Sequence, residues 1–217
     1  DRSDFDPHRG GIGPVIQRSL VAVVLVLLLF SSGLRAAMPP DQLIRQTVER
    51  LIDELTERKA ELERDRGQLY ELVERVIVEH IAVDKVAKLV LARHWRNASL
   101  EQRTRFADEF KNLLIRTYAS ALFDYTGREQ MDFRPLQLTG DERTAVVRTD
   151  VKLPGVRAFP VNYKFLRLES GEWKIFDVTI DGISLVTIYR ATYAQIIQTT
   201  GLDGLILRLE RKTAESR

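Results

Sequence analysis

The order of hydrophobic periodicities along the chain predicts an α+β fold, with helices at both ends and an antiparallel sheet between them. Apolar residues recur at helical spacing before about residue 125 and after about residue 185, whereas the segment 131–180 alternates with period two. Three short turns separate four strands in that segment: Gly140-Asp141, Pro154-Gly155 and Ser170-Gly171. Because short turns join antiparallel neighbours, we expect a four-stranded curved sheet covered on one face by the N-terminal and C-terminal helices.

The helical part before the sheet divides at residues that start or stop helices. Pro39-Pro40-Asp41 precedes a helix over about 42–63, and Gly67 is expected to end this segment. Two further helices are predicted over about 69–80 and 84–96. Ser99-Leu100-Glu101-Gln102 has the form of a capping box, so a long helix should begin there and end at Gly127.

The predicted strands cover about 131–139, 144–153, 159–169 and 172–180, and their alternation gives the sheet one apolar face. On this face we place the following residues: Val147, Thr149, Val151 and Leu153, then Phe159, Val161, Tyr163 and Phe165, then Phe176, Val178 and Ile180. Two helices close the chain, one containing Leu185 to Ile197 and one containing Leu202 to Leu209. From the residues alone, such a face is most simply a solidly packed core.

Composition excludes several classes of function. The chain has 217 residues, of which 44% are hydrophobic and 29% charged, and its net charge is +2. A nucleic-acid-binding protein is not indicated, because such proteins need an excess of positive charge. The chain contains no cysteine, which excludes disulfides, thiolate metal sites and cysteine nucleophiles. It also lacks the serine-hydrolase, zinc-protease and phosphate-loop motifs, so we predict neither enzyme activity, nor a metal, nor a cofactor.

Residues 1–37 have the pattern of a secretory signal peptide, and residues 38–217 are expected to form the mature domain. Eleven consecutive apolar residues run from Leu20 to Phe30, after Arg9 and Arg18 and before a segment of small residues. The apolar run is shorter than the roughly 20 residues that a membrane span requires. We therefore expect export across the inner membrane, with an uncleaved anchor as the alternative.

Three stretches of the chain resemble the MlaC, or toluene-tolerance, family. They are VLARHWRNASLEQRTRFADEF at 90–110, LLIRTYASALFDYTG at 113–127 and EWKIFDVTIDGISLVTIYRATYAQII at 172–197. The third stretch is the most specific, because a tryptophan-bearing strand, an acidic-Gly turn and a Tyr-Arg pair entering a helix is an unusual succession. Three positions depart from the family pattern: Ala92 in place of Gly, Asp181 in place of Glu, and Ile188 in place of a polar residue.

The resemblance implies a periplasmic carrier that moves phospholipid between an outer-membrane lipoprotein complex and an inner-membrane ABC transporter complex. It implies that the acyl tails occupy an apolar cavity between sheet and helices, with the lipid as the bound ligand. The residues expected to line that cavity are Trp95, Phe110, Leu114, Tyr118, Leu122, Tyr125, Phe133, Val147, Val151, Val161, Tyr163, Phe165, Phe176, Val178, Ile180, Ile183 and Val186. Arg190, from the Tyr-Arg pair, is expected to make a structural pairing or to lie near a headgroup phosphate.

Three alternatives remain open from the sequence, and one of them is a periplasmic adaptor with a solidly packed core. Hopanoid-associated relatives share the same pattern, so the lipid itself is not determined. Cone-shaped α+β folds also include isomerases that place an Asp or Tyr in an apolar cavity, and Asp177 with Tyr163 would be the candidates here. A cavity carboxylate with a strongly raised pKa would favour the enzyme.

Overall fold

The structure is a computed structural model that describes residues 38–119, 122–123 and 129–215. The predicted leader, the expected helix end at Gly127 and the expected cavity residue Tyr125 lie outside the described residues. The described residues belong to one compact unit, Ala37–Arg217. None of the helices within them is both long enough and apolar enough to cross a bilayer.

Among the described residues, six helices precede the sheet, and they break where the sequence offers a local alternative to helix. They are α1 (Pro40–Glu57), α2 (Lys59–Arg64), α3 (Arg66–Val76), α4 (Val83–Leu91), α5 (His94–Asn97) and α6 (Leu100–Ala119), with a 3₁₀ turn at Val78–His80 between α3 and α4. The helix predicted over 42–63 is therefore two helices, interrupted at Arg58. The prediction that Gly67 ends this segment is wrong, because the Asp65 carboxylate accepts a hydrogen bond from the Gly67 N–H and so caps the start of α3.

Ala92 divides the helix that was predicted over 84–96. Its backbone has φ 48° and ψ −115°, a conformation that side chains with a Cβ rarely adopt, and it separates α4 from the single turn of α5. The predicted capping box at the start of α6 is confirmed. The Gln102 N–H donates to the Ser99 hydroxyl at 3.1 Å, and the Ser99 N–H donates to the Gln102 side-chain oxygen at 3.0 Å.

The sheet is antiparallel with strand order β1-β2-β3-β4-β5, which confirms the fold class and adds one short strand to the predicted four. The strands are β1 (Gln130–Phe133), β2 (Thr144–Lys152), β3 (Phe159–Arg167), β4 (Trp173–Ile180) and β5 (Ile183–Ser184). The predicted first strand is shorter than expected, since β1 ends before Pro135, which has no N–H to donate. The unpredicted β5 follows a two-residue turn, Asp181-Gly182, in which both residues have the positive φ that this hairpin requires.

β4 contains a β-bulge at Phe176. Phe165 of β3 lies opposite Ile175, but Lys164 lies opposite Asp177, so Phe176 has no partner in the ladder. The prediction that Phe176, Val178 and Ile180 share a face by simple alternation is therefore wrong for Phe176. Val178 lies on the core face as predicted, opposite Tyr163, and Ile175 lies there in place of Phe176, opposite Phe165.

After the sheet, α7 (Leu185–Glu215) contains both predicted C-terminal helices, which meet at Gly201 with φ 72°. The buried apolar residues form three clusters. The first joins α4, α6 and α7, the second joins α1, α2, α3 and α6, and the third joins Ile44 of α1 to the core face of the sheet. The third cluster fills the space over β2 and β3, and this packing decides which part of the sheet remains open for a ligand.

An apolar cavity as the candidate functional site

A cavity of about 260 Å³ lies where the three hydrophobic clusters meet, beside β4 rather than over the centre of the sheet. Its walls come from α3, α4, α6, β4 and the start of α7. The lining residues are Val73, Ile77, Val78, Ile81, Val83, Val86, Val90, Phe110, Lys111, Leu114, Ile115, Tyr118, Ala119, Leu122, Ile175, Phe176, Asp177, Val178, Leu185, Val186 and Tyr189. The wall is almost wholly apolar, and such a surface favours hydrocarbon over water.

Helical spacing brings the wall residues of α4 and α6 onto faces that point at the same space. Val83, Val86 and Val90 follow one face of α4, while Phe110, Leu114 and Tyr118 follow one face of α6. The bulge in β4 adds Phe176 to the wall between Ile175 and Val178, so that four consecutive strand residues contribute. At the free edge of β4, the Ala82 N–H donates to the Ile175 carbonyl at 2.8 Å and holds the start of α4 against the strand.

The structure divides the residues that were expected to line a cavity. The following lie in the cavity wall: Phe110, Leu114, Tyr118, Leu122, Phe176, Val178 and Val186. The others described by the structure lie outside it: Trp95, Phe133, Val147, Val151, Val161, Tyr163, Phe165, Ile180 and Ile183. Helical spacing in α3 and α4 indicated only an ordinary core, so no residue of these helices was predicted to line a cavity.

Most of the displaced residues have a physical reason for their position. Val147 and Phe165 are fully buried beneath Ile44 of α1, and Phe133 and Tyr163 pack against the same cluster, because α1 closes that part of the sheet face. Trp95 packs on the cluster of α4, α6 and α7, and the Arg103 guanidinium lies 5.1 Å from its ring. Ile180 and Ile183 flank the two-residue turn and are 38% and 58% exposed.

Asp177 is a buried carboxylate with a full set of hydrogen-bond donors. It accepts from Lys164 Nζ at 2.9 Å, from the Ser184 hydroxyl at 2.9 and 3.0 Å, and from the Val186 N–H at 3.3 Å. These bonds tie β4 to β5 and to the first turn of α7, which carries Val186 and Tyr189 into the cavity wall. Asp177 therefore positions the wall rather than offering a free acid or base.

The isomerase hypothesis required Asp177 and Tyr163 to act together in an apolar cavity. Tyr163 lies opposite Val178 on the core face of the sheet, whereas Asp177 lies opposite Lys164 on the other face. Burial raises the pKa of Tyr163 to about 12, so its phenol stays protonated near neutral pH. Within the described part of the chain, no three His, Asp or Glu side chains come together as a metal site. This geometry does not favour the enzyme.

Arg190 makes a structural bond. Its Nε donates to the Leu89 carbonyl at 2.8 Å, which connects α7 to the last turn of α4 and satisfies a carbonyl that has no partner within its own helix. A cation at a helix C-terminus is also electrostatically favourable. Of the two expectations for this residue, structural pairing is the one that the geometry supports, although the partner is a backbone carbonyl and not an acidic side chain.

The polar groups on the cavity wall are few. Lys111 Nζ binds a Glu74 carboxylate oxygen across α6 and α3. The hydroxyls of Tyr118 and Tyr189 are 3.2 Å apart and bridge α6 and α7. Burial, followed by the Tyr118 hydrogen bond, raises the pKa of Tyr189 well above its usual value. Tyr118 is 46% exposed, so this pair marks a place where the wall meets solvent.

An open antiparallel sheet, helices on its core face and an apolar cavity at one edge define a class of small α+β ligand-binding proteins. A sequence model of the family "MlaC protein" matches residues 45–211, which is most of the chain. The chain belongs to the MlaC family. The resemblance read from the three sequence stretches is thereby confirmed.

Individual relatives agree with this assignment. The chain is 22% identical over 199 residues to the intermembrane phospholipid transport system binding protein MlaC of Haemophilus influenzae, covering 91% of this chain and 92% of that protein. It is 24% identical over 192 residues to the toluene tolerance protein ttg2D of Pseudomonas putida, covering 87% and 86% respectively. A phospholipid-binding protein from Ralstonia solanacearum, solved in complex with a phospholipid, superposes with a TM-score of 0.74 at 25% identity, covering 82% of this chain and 99% of that one.

Proposed function

We propose that this protein is an exported phospholipid carrier that holds acyl chains in the apolar cavity beside β4. The observation that carries the proposal is the cavity itself, with walls of Val, Ile, Leu and Phe side chains, in a chain of the MlaC family. The relative from Ralstonia solanacearum, described as phospholipid-binding and solved with a phospholipid, supports the choice of ligand. The predicted signal peptide supports a periplasmic location.

The free energy of burying hydrocarbon determines how such a carrier must unload. Each buried CH₂ contributes about 0.8 kcal/mol. The cavity of about 260 Å³ has room for roughly ten such groups at about 30 Å³ each, so release of that length of chain into water would cost on the order of 8 kcal/mol. Spontaneous release into water is therefore strongly disfavoured, and we expect the lipid to pass directly into another apolar environment. We infer that the carrier exchanges lipid by contact with an inner-membrane ABC transporter complex and an outer-membrane lipoprotein complex. The direction of transport is then set by those complexes.

The first experiment asks whether lipid occupies the cavity. The protein is purified gently from a membrane-rich bacterial host, and bound lipid is measured by native mass spectrometry and thin-layer chromatography. Val86→Trp places an indole in the cavity wall of α4, and Lys85→Trp places the same indole on the exposed face of that helix as a matched control. We expect phospholipid in the wild type and the control and a strongly reduced amount in Val86→Trp, with similar melting temperatures.

Two outcomes would contradict the proposal. Consistent absence of phospholipid from the wild-type protein would show that phospholipid is not its ligand. Equal lipid content in Val86→Trp and Lys85→Trp would mean that the lipid binds outside the cavity.

A second experiment addresses the partners. Protein loaded with a fluorescent phospholipid is mixed with liposomes that contain, or lack, the purified inner-membrane transporter complex. We expect transfer only where the complex is present, because the protein alone offers the tails no apolar route. Rapid exchange between the carrier and protein-free liposomes would show that the partner requirement is wrong.

A further inference from the structure

Three tyrosines come together near the place where the cavity wall meets solvent: Tyr118 and Tyr189 line the cavity, and Tyr193 is buried against Tyr189. Tyr118 comes from α6, and Tyr189 and Tyr193 come from successive turns of α7. We call these three residues the tyrosine cluster. The Tyr118 and Tyr189 hydroxyls are 3.2 Å apart, and the rings of Tyr189 and Tyr193 are 5.6 Å apart between centroids. Tyr193 also lies near Tyr118, whose phenol adds to burial in raising the pKa of Tyr193.

The tyrosine cluster has hydrogen-bonding capacity that the described protein groups do not use. Tyr193 is only 4% exposed, and its hydroxyl is buried with no hydrogen-bond partner in residues 38–119, 122–123 and 129–215. Such a group costs free energy unless it finds an acceptor. In the Tyr118–Tyr189 pair one hydroxyl donates to the other, so the second phenol proton is available to another acceptor.

The acceptor that suits this cluster is neutral. Burial keeps Tyr189 and Tyr193 protonated, so they are uncharged donors. The lysine in the cavity wall is engaged elsewhere, since Lys111 Nζ binds Glu74. A phosphate is best recognised by charged donors, whereas a carbonyl oxygen needs only a hydroxyl.

We propose that the tyrosine cluster is a polar subsite of the cavity, which donates a hydrogen bond to the carbonyl oxygen where an acyl chain joins its headgroup. The cavity then selects lipids with ester-linked chains over lipids of equal size that lack this carbonyl. This inference rests on the proposed carrier function and deepens it. Its place in the fold fits the chemistry, because the ester group of a lipid also lies between the apolar chain and the polar headgroup.

The experiment compares two phospholipids that differ only at this position. Diacyl and dialkyl-ether phosphatidylglycerol of equal chain length are offered together, in equal amounts, to delipidated wild-type protein in detergent. The protein is separated by gel filtration, and both lipids are measured by mass spectrometry. A neutral hydrogen bond predicts that the diacyl lipid is favoured about threefold to tenfold.

Removal of the hydroxyls should abolish this preference while the rings remain. In the double variant Tyr118→Phe/Tyr189→Phe we expect a ratio near one, and in Tyr193→Phe a smaller ratio than in the wild type. Tyr163→Phe is the matched control, since Tyr163 is a partly buried tyrosine that packs against the sheet cluster, away from the tyrosine cluster and the cavity wall, and it should keep the wild-type ratio.

The possible results separate the two proposals. A ratio of one in the wild type would overturn the subsite, and this result does not depend on whether a variant folds. A preference that persists unchanged in the double variant would overturn it too. Uptake of neither lipid by the wild type would contradict the carrier function and the subsite with it. Uptake of both lipids with no preference would leave the carrier function intact.

Discussion

The two sides of the sheet's core face are built from the same residue types but are packed differently. Over β2 and β3, Ile44 of α1 lies on Val147 and Phe165, and both strand residues are completely buried. Beside β4, the helices α3, α4, α6 and α7 surround a cavity of about 260 Å³. We call these regions the solid side and the hollow side.

The difference shows that hydrophobicity alone does not determine whether a face is filled. On the solid side a single helix lies directly on the sheet, so its side chains interdigitate with those of the strands. On the hollow side three hydrophobic clusters meet, and each is completed by its own helices. The two described non-glycine residues with positive φ, Ala92 and Asp181, end elements that wall the hollow side. Of these two, Ala92 has a conformation that side chains with a Cβ rarely adopt, so an unfavourable backbone accompanies the cavity at the end of α4.

The largest expected contrast comes from truncating a phenylalanine on each side. Phe165→Ala on the solid side should lower the free energy of unfolding by about 3–5 kcal/mol, since it leaves a void in a packed core. Phe176→Ala should cost less than half of that, because Phe176 is half-buried and already borders the cavity. Urea unfolding of both variants measures the difference. Equal losses would show that the two sides are packed alike.

Enlarging an alanine on each side should give a contrast in the same direction, by overpacking instead of by a void. Ala145→Leu adds volume to the solid side and should destabilise by about 1–3 kcal/mol through overpacking. Ala119→Leu adds the same volume to the cavity wall, where space is available, and should change stability by less than about 1 kcal/mol. Thermal melts of the two variants provide the comparison. A large loss in Ala119→Leu would mean that the wall cannot accept a larger side chain.

Relief of strain at Ala92 should stabilise the hollow side. Glycine adopts the observed φ of 48° without a Cβ clash, so Ala92→Gly should raise the free energy of unfolding by about 1 kcal/mol. Ala87→Gly, in the interior of the same helix, is the control and should lower stability by at least about 1 kcal/mol. Denaturant titration distinguishes these signs. A loss of stability in Ala92→Gly would show that its conformation carries no strain.

The smallest effect concerns pH and the turn between β1 and β2, away from the cavity. Hydrogen bonds from the Thr139 and Gly140 backbone N–H groups lower the pKa of Glu142 from 4.5 to about 2. Because the pKa of Glu142 is lower in the folded protein than in the unfolded chain, its ionised carboxylate stabilises the turn above pH 4.5. That stabilisation is lost as the pH falls towards 2. Amide hydrogen exchange should therefore show Thr139 and Gly140 loosening in acid, while Glu142→Gln is insensitive. Equal loosening of the cavity wall would contradict a local effect.

The sequence predicted the elements of the fold better than the site. Alternation located β2, β3 and β4 to within one or two residues, and Ser99 with Gln102 predicted the start of α6, because these signals are local. The cavity is not local, since Val86 of α4 and Val147 of β2 carry the same side chain and only tertiary packing separates wall from core. The missed breaks at Arg58 and Ala92 likewise depend on how the helices must turn to pack.

The bulge at Phe176 has a consequence for how this strand can change in length. One extra residue separates the two halves of β4. For this reason the side chains of Trp173 and Ile175, before the bulge, lie on the same face as those of Val178 and Ile180, after it. Deletion of Phe176 would leave both halves of the strand on their correct faces and would remove one residue of the cavity wall. Deletion of a residue after Phe176 would move the side chains between the bulge and the deletion, or beyond it, to the wrong face, unless the strand lost its bulge and regained regular alternation. Among homologous chains, a one-residue gap in β4 therefore belongs at Phe176.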